Sequence, residues 1–219
     1  MEVKILEREE NEVIIVLSGV KVRFVNALRR AMIAEVPKLA IDEVNVYENN
    51  SLLYDEQLAL RLALTPLKTD DLSAYSDEDQ ISLTLKAVSP EREGYTMVYS
   101  KELISSDPHV EPAFENIPLV KLISTEREIS GMRTVARQSL SFEAIARLGR
   151  GQEHAKWQPV TVCGLKKMQN QGEGTKADKK SLLFSVEGDG SVPVDEIVIE
   201  AARIMREKCE MVVNELTSP

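Results

Sequence analysis

Apolar residues recur at steps of three and four in two segments, one near each end of the chain. This spacing places them on one face of a helix. The first helix is predicted over about 23–36, and Pro37 ends it because the residue before a proline avoids helical geometry. The second is predicted from Pro193 for roughly 24 residues, about 36 Å. The two faces contain Phe24, Val25, Leu28, Met32 and Val36, and then Val194, Ile197, Ala201, Ile204, Met205, Val212 and Leu216.

The second helix is about twice as long as the radius of gyration of a domain of this size, ~17 Å. Part of its apolar face is therefore predicted to extend past the core of its own chain. The alternative is that both helices cover one sheet within a monomer, as amphipathic helices commonly do.

Apolar and polar residues alternate in several other segments, which predicts half-buried strands. A short helix is predicted over 55–64, and the polar residues 9–11 predict a hairpin turn. Residues 140–148 fit both a strand and a helix, whereas 164–180 are rich in Gly, Lys, Gln and Asp and predict a loop or disordered link. The mixture indicates the α+β class. The predicted strands are 3–5, 13–17, 41–46, 81–87, 95–99, 117–123, 160–162 and 182–186.

Composition narrows the function classes. The chain has 219 residues, 43% of them hydrophobic, which suffices for one large or two small cores. Its formal net charge of −9 disfavours direct DNA binding, because the release of counterions from DNA stabilises complexes with basic proteins. No apolar run approaches the ~20 residues of a membrane span. The N-terminus lacks a signal-peptide core, and two cysteines do not make a disulfide framework, so a cytoplasmic location is expected.

Catalytic chemistry has weak support in the sequence. His154 lies near Trp157, but no serine, cysteine or second histidine forms a recognisable motif with it. The acidic pairs around 70–71 and 78–79 are typical of a solvated loop. We therefore predict no catalytic and no metal-binding residues. A stand-alone α+β enzyme remains an alternative, with His154 or the Asp55/Glu56 pair as acid or base.

Two separated blocks carry a family resemblance. The first is NALRRAMIAEVPKLAIDEV at 26–44, followed by LYDE at 53–56 and LALTPL at 62–67. The second is ARLGRG at 146–151 and HAKWQP at 154–159. Together they resemble the alpha-like subunits of multisubunit RNA polymerases, and the archaeal branch in particular. That branch is similar to the third-largest subunit of eukaryotic RNA polymerase II and to bacterial alpha.

The resemblance implies a discontinuous fold similar to the bacterial alpha N-terminal domain. Residues 1–47 and 182–219 would form a dimerisation domain of a sheet and two amphipathic helices. Residues 48–163 would form an inserted, mainly-β domain, and 164–181 a flexible link. The implied function is non-catalytic assembly within a nucleotidyltransferase complex. The chain would pair with the smaller archaeal subunit L and form a platform for the large catalytic subunits.

The implied interface with L lies on the two terminal helices. A homodimer like that of bacterial alpha remains an alternative, because the first block does not exclude self-pairing. The interface residues are Phe24, Val25, Leu28, Arg29, Arg30, Met32, Ile197, Ala201, Ile204, Met205, Val212 and Leu216.

A second implied interface docks the chain to the second-largest subunit and to the small subunits N and P. Arg29 and Arg30 point about 100° apart on a helix, so they cannot both face the core. They could instead pair within the chain with Glu35, Asp42 or Glu43, and Trp157 could be a packed structural residue. The docking residues are Arg30, Arg147, Arg150, His154, Lys156 and Trp157.

Many archaeal members of the family carry an iron–sulfur insert. A four-iron cluster typically needs four thiolates, whereas this chain has only Cys163 and Cys209 and no C-x-x-C motif. No cofactor is therefore predicted. The link after Cys163 is either natural or a replacement of the insert, and the sequence leaves both possibilities open.

Overall fold

The computed structural model describes residues 1–69, 72–129, 132–168 and 181–217. The fold is α+β, as predicted, with three α-helices and thirteen strands in the described residues. In chain order they are β1 (Glu2–Arg8), β2 (Glu12–Ser18), α1 (Val22–Ala34), β3 (Pro37–Asn49), α2 (Asp55–Ala63), β4 (Leu67–Thr69), β5 (Ile81–Val88), β6 (Gly94–Tyr99), β7 (Ile104–Ser105), β8 (Val110–Pro112), β9 (Pro118–Ile129), β10 (Met132–Ala136), β11 (Ser139–Arg150), β12 (Val160–Lys167), β13 (Leu182–Gly188) and α3 (Val194–Thr217). No described helix is long and apolar enough to cross a membrane.

The chain divides into two compact units. Unit 1 comprises Met1–Lys38 and Arg150–Pro219, and unit 2 comprises Leu39–Gly149. These bounds differ from the predicted ones chiefly because β12 belongs to unit 1. It pairs with β13 from Val160 to Lys167, so backbone hydrogen bonds tie it to the terminal segments.

Unit 1 is a four-stranded antiparallel sheet, in the order β1-β2-β13-β12, with α1 and α3 packed on it. The register places Val3 opposite Leu17, and Ile15 between Ile5 and Phe184. These side chains share one face of the sheet. The helices contribute their apolar faces to the core, which contains Val25, Met32, Ile197 and Ala201 among its fully buried residues.

Unit 2 contains a four-stranded sheet in the order β3-β11-β5-β7, a three-stranded sheet β10-β9-β6 and the short pair β4-β8. Its core is one cluster, in which α2 contributes Leu58 and Leu62 and the strands contribute Leu83, Leu122 and Phe142. Each of these side chains is essentially inaccessible to solvent.

The structure shows the secondary structure of the segments that the sequence left open or predicted as loop. Residues 140–148 lie in β11, where Leu140, Phe142 and Ala144 are buried and alternate with partly exposed neighbours. The loop prediction was wrong for 164–167, which complete β12, because pairing with β13 outweighs the weak strand propensity of that segment. Residues 169–180 of the predicted link lie outside the described residues, as do Asp70 and Asp71. The prediction of a 24-residue C-terminal helix is confirmed.

Candidate partner interface

Helix α3 is buried at its beginning and exposed at its end. Val194, Ile197 and Ala201 are buried against the sheet. From 206 to 217 every residue is exposed. The exposed part carries four large apolar side chains with 58–82% exposure, namely Met211, Val212, Val213 and Leu216. The rest of unit 1 leaves these side chains largely uncovered.

A groove between β1 and α3 leaves a second apolar surface open. Its larger hollow has a volume of about 360 Å³ and includes Met1, Val3, Phe24, Val198, Met205 and Cys209 in its lining. A second hollow of about 300 Å³ shares Val3, Ile15 and Val198 with it. We call the two together the apolar groove. The ion pair between Arg8 and Asp195 lies in the lining of the second hollow.

Strand β1 forms the incomplete wall of this groove. Val3 and Ile5 are 52% and 51% exposed, whereas Leu17 and Ile15, opposite them on β2, are 3% and 6% exposed. The helices therefore cover the inner strands of the sheet and leave its β1 edge bare. A contiguous apolar surface of this kind marks an interaction site.

One stripe of α3 joins the groove to the exposed helix end. Its members follow one another at alternating steps of four and three residues, the spacing of a helix seam that receives another helix. The first four line the groove, and the last two are exposed beyond it. We call this set the groove stripe, and it consists of Val198, Ala202, Met205, Cys209, Val212 and Leu216.

The structure separates the predicted interface residues into two groups. One group is enclosed by unit 1, since α1 and the start of α3 turn these side chains toward the sheet: Val25, Leu28, Met32, Ile197 and Ala201. Leu28 also borders the groove. The other group is accessible: Phe24, Ile204, Met205, Val212 and Leu216.

Sequence reasoning predicted Met205, Val212 and Leu216 of the stripe but missed the contribution of β1 and of Val198, Ala202 and Cys209. Val3 and Ile5 were predicted only as strand residues. Val198 and Ala202 directly follow the buried Ile197 and Ala201, so they lie about 100° around the helix from them. The signal was present as a second apolar stripe, but the sequence did not say which stripe faced the sheet.

The arginine pair of α1 is not engaged by the acidic residues considered from the sequence. Arg29 is partly buried, and its Nε donates to Asn26 Oδ1 at 3.5 Å. Glu35 pairs instead with Lys208 at 2.7 Å, and Asp42 with Arg147 at 2.6 Å. Arg30 is exposed and forms no ion pair within the described residues.

The second sequence block caps the helix of the first. The backbone N–H of Gln152 donates to the carbonyl oxygen of Ala34 at 3.0 Å, satisfying one of the carbonyls left open at the end of α1. Gly151 lies so close that a Cβ there would be 2.0 Å from the Ile33 carbonyl oxygen. The two family-like blocks are thus joined by backbone contacts at one helix end.

The predicted docking residues do not all share one environment. Trp157 is 2% exposed, which matches the packed structural alternative. His154 is exposed, and its Nδ1 accepts from the Lys156 N–H at 3.2 Å. Arg150 lines a polar hollow with the Glu35–Lys208 pair, whereas Arg147 belongs to unit 2.

The family model for the RNA polymerase Rpb3/Rpb11 dimerisation domain matches residues 15–209. The chain belongs to the RNA polymerase Rpb3/Rpb11 dimerisation family. DNA-directed RNA polymerase subunit Rpo3 of Pyrococcus horikoshii is 34% identical over 99% of this chain and 98% of its own length. The protein of the same name from Thermococcus kodakarensis is 35% identical with the same coverage. Rpo3 of Methanosarcina acetivorans is 44% identical over 77% of this chain and 61% of the relative.

Alignment with the Pyrococcus relative extends over 265 residues, although this chain has only 219. This member of the Rpb3/Rpb11 dimerisation family therefore lacks counterparts for part of the relative. Among the described residues, no group of three or more His, Cys, Asp or Glu could hold a metal ion.

The two cysteines of this family member have different environments. Burial raises the pKa of the Cys163 thiol to about 11, and the positive charge of Arg29 opposes this only partly. Cys209 is exposed and lies in the lining of the apolar groove. Because the thiolate is the reactive form, the two thiols are chemically distinguishable.

Charge is divided unequally between the units. Unit 1 has 17 Lys and Arg and 17 Asp and Glu, whereas unit 2 has 10 and 19. These add up to the 27 basic and 36 acidic residues of the chain, so its net charge of −9 lies entirely in unit 2. The unit with the apolar groove is therefore neutral overall.

Proposed function

We propose that this chain is the assembly subunit of an archaeal DNA-dependent RNA polymerase, the counterpart of the Rpo3 proteins that it resembles. It would form a heterodimer with subunit L and provide the platform for the large catalytic subunits. Polymerisation chemistry would reside in those larger subunits, and this chain would contribute no catalytic residue.

The single observation that carries the proposal is the apolar groove with its continuation along the exposed end of α3. Burying a large apolar side chain contributes about 1.5–3 kcal/mol. Val3, Ile5, Val212 and Leu216 are each at least half exposed in this chain. A partner that covers them gains this free energy, and a helix fits the stripe spacing. Membership of the Rpb3/Rpb11 dimerisation family supports the proposal that the partner has a related fold.

We further propose that the second block docks the heterodimer to the second-largest subunit and to N and P. Arg30 and His154 are exposed and Arg147, Arg150 and Lys156 are partly exposed, so all five side chains are accessible for such contacts. Trp157 would support the loop from inside, because its ring packs in unit 1 and Lys156 Nζ lies 4.3 Å from the ring centroid. The acidity of unit 2 argues against direct DNA contact.

The test is co-expression with L, followed by sedimentation of the purified chains. Val212→Glu with Leu216→Glu would place charges in the proposed interface while leaving the exposed helix end folded. We expect the affinity for L to fall at least about a hundredfold.

Leu52→Glu is the matched control, since Leu52 is about as exposed as Leu216 but lies in unit 2. It should bind L as the parent chain does. The proposal fails if the parent chain ignores L, or if the double variant binds L as tightly as the control.

A further inference from the structure

The groove stripe of α3 is symmetric along its length. Turning the stripe end for end about the position of Glu207 pairs Val198 with Leu216, Ala202 with Val212, and Met205 with Cys209. Every apolar member then meets another apolar member. By apolar pattern alone, two copies of this chain could pair through antiparallel α3 helices in a twofold arrangement.

Charge argues against that pairing. Arg206 has the single charged side chain in the lining of the larger hollow of the groove, among the described residues that form it. It lies next to the centre of the stripe, so in a twofold pair it would face Arg206 of the second copy. Like charges placed together in an interface disfavour the wrong partner.

Neighbouring groups do not remove this charge. Glu210 lies 3.7 Å from Arg206, but both side chains are about two thirds exposed, and an exposed pair of this kind contributes little. Lys208 flanks the other side of the stripe and is already paired with Glu35 at 2.7 Å. Arg206 is therefore a charge beside the centre of the groove stripe, and a partner helix that covers the stripe must accommodate it.

We propose that Arg206 is a specificity residue of the groove: it disfavours pairing of two copies and selects a partner helix with a carboxylate opposite it. This inference rests on the proposed function, because it takes the groove to be the partner interface. The same apolar stripe would otherwise serve self-association and partner binding equally.

The experiment uses the full chain alone and measures self-association by sedimentation velocity over a concentration series. Arg206→Leu should self-associate at least about tenfold more tightly than the parent chain, because it removes the central repulsion and adds apolar surface. Arg203→Leu is the matched control. Arg203 lies on the same helix, paired with Glu200, but does not line the groove, so its loss should leave self-association unchanged.

A charge-swap mixture sharpens the test. Arg206→Glu alone should remain monomeric, because the two introduced carboxylates would then face each other across the twofold axis. An equimolar mixture of this variant with the parent chain should form a mixed dimer, since a carboxylate would then face the guanidinium of Arg206. Circular dichroism melting of each variant verifies that the fold is retained.

The inference is overturned if Arg206→Leu self-associates no more than Arg203→Leu, or if the mixture yields no mixed dimer. Binding of L is measured separately on the parent chain. Failure there would refute the proposed function and would leave the self-association result standing.

Discussion

Unit 1 and unit 2 differ in how completely they bury their apolar side chains. Unit 2 encloses a core built from one helix and several strands, and it carries the whole net charge of the chain. Unit 1 is neutral, and its sheet is only partly covered by its two helices, so β1 and the end of α3 remain bare. This difference is the reason for placing the proposed partner interface on unit 1, whereas the charge of unit 2 favours solvent.

The largest expected effect in unit 1 comes from the turn that caps α1. Gly151→Ala would force a Cβ to within 2.0 Å of the backbone oxygen of Ile33, a contact that side-chain movement cannot relieve. We expect unit 1 to lose on the order of 3 kcal/mol of stability or more, measured by urea unfolding.

Gly164→Ala is the control for that change. Its Cβ would meet only the Ser185 hydroxyl oxygen, which can rotate away. The cost should remain below about 1 kcal/mol. Equal destabilisation by the two variants would contradict the capping role of the Gly151 turn.

A buried ion pair in unit 1 and an exposed one in unit 2 give the next comparison. Lys38 and Asp189 pair with side chains only 5% and 14% exposed. Lys38→Ala leaves the Asp189 carboxylate with little access to water, so we expect a loss of about 3 kcal/mol in urea unfolding.

Lys68 and Glu111 form the corresponding exposed pair, at 3.0 Å and with both side chains at least half exposed. Lys68→Ala should therefore cost less than about 1 kcal/mol. If Lys68→Ala lowered the free energy of unfolding more than Lys38→Ala, the claim that the buried pair contributes more to stability would be contradicted.

The contrast between the units also separates what the sequence could predict from what it could not. Helices α1 and α3 were predictable because their apolar spacing is regular and Pro37 ends the first one. The β1–β2 hairpin was predictable from alternation around the polar residues 9–11. These features depend on neighbours close in the chain.

The groove could not be predicted in the same way, because it depends on which side of α3 faces the sheet. Ile197 and Val198 are both apolar and adjacent, and only the packed sheet decides that Ile197 is buried while Val198 lines the groove. The prediction for Gly164–Lys167 failed for a related reason, since β13 supplies the pairing from a distant part of the chain.

The smallest expected effect lies on the solvent-facing side of the β3-β11-β5-β7 sheet of unit 2. Hydrogen bonds from Ser82 and then from Tyr47 hold the pKa of the Glu143 carboxyl below its usual value. The hydrogen bond that Tyr47 donates to Glu143, together with the negative charge of Glu143, raises the pKa of Tyr47 above its usual value. Because folding lowers the pKa of Glu143, its contribution to stability is present above the unfolded pKa and is lost as pH falls through the folded pKa.

Tyr47→Phe should therefore raise the pKa of Glu143 toward its ordinary value, as followed by NMR titration of the carboxyl carbon. Binding of L should not change, because both residues belong to unit 2. An unchanged pKa in the variant would show that the Tyr47 hydroxyl does not stabilise this carboxylate.

Cys209 lies in the lining of the apolar groove, so its reactivity reports directly on whether a partner covers the groove. In the free chain at pH 8, a maleimide should modify the exposed Cys209 rapidly, while Cys163, with a pKa of about 11, has only about one thousandth of its thiol ionised. Mass spectrometry then identifies the modified residue in each sample. We predict that saturating L slows modification of Cys209 at least about tenfold. Modification at the same rate with and without bound L would contradict the claim that the groove is the partner interface.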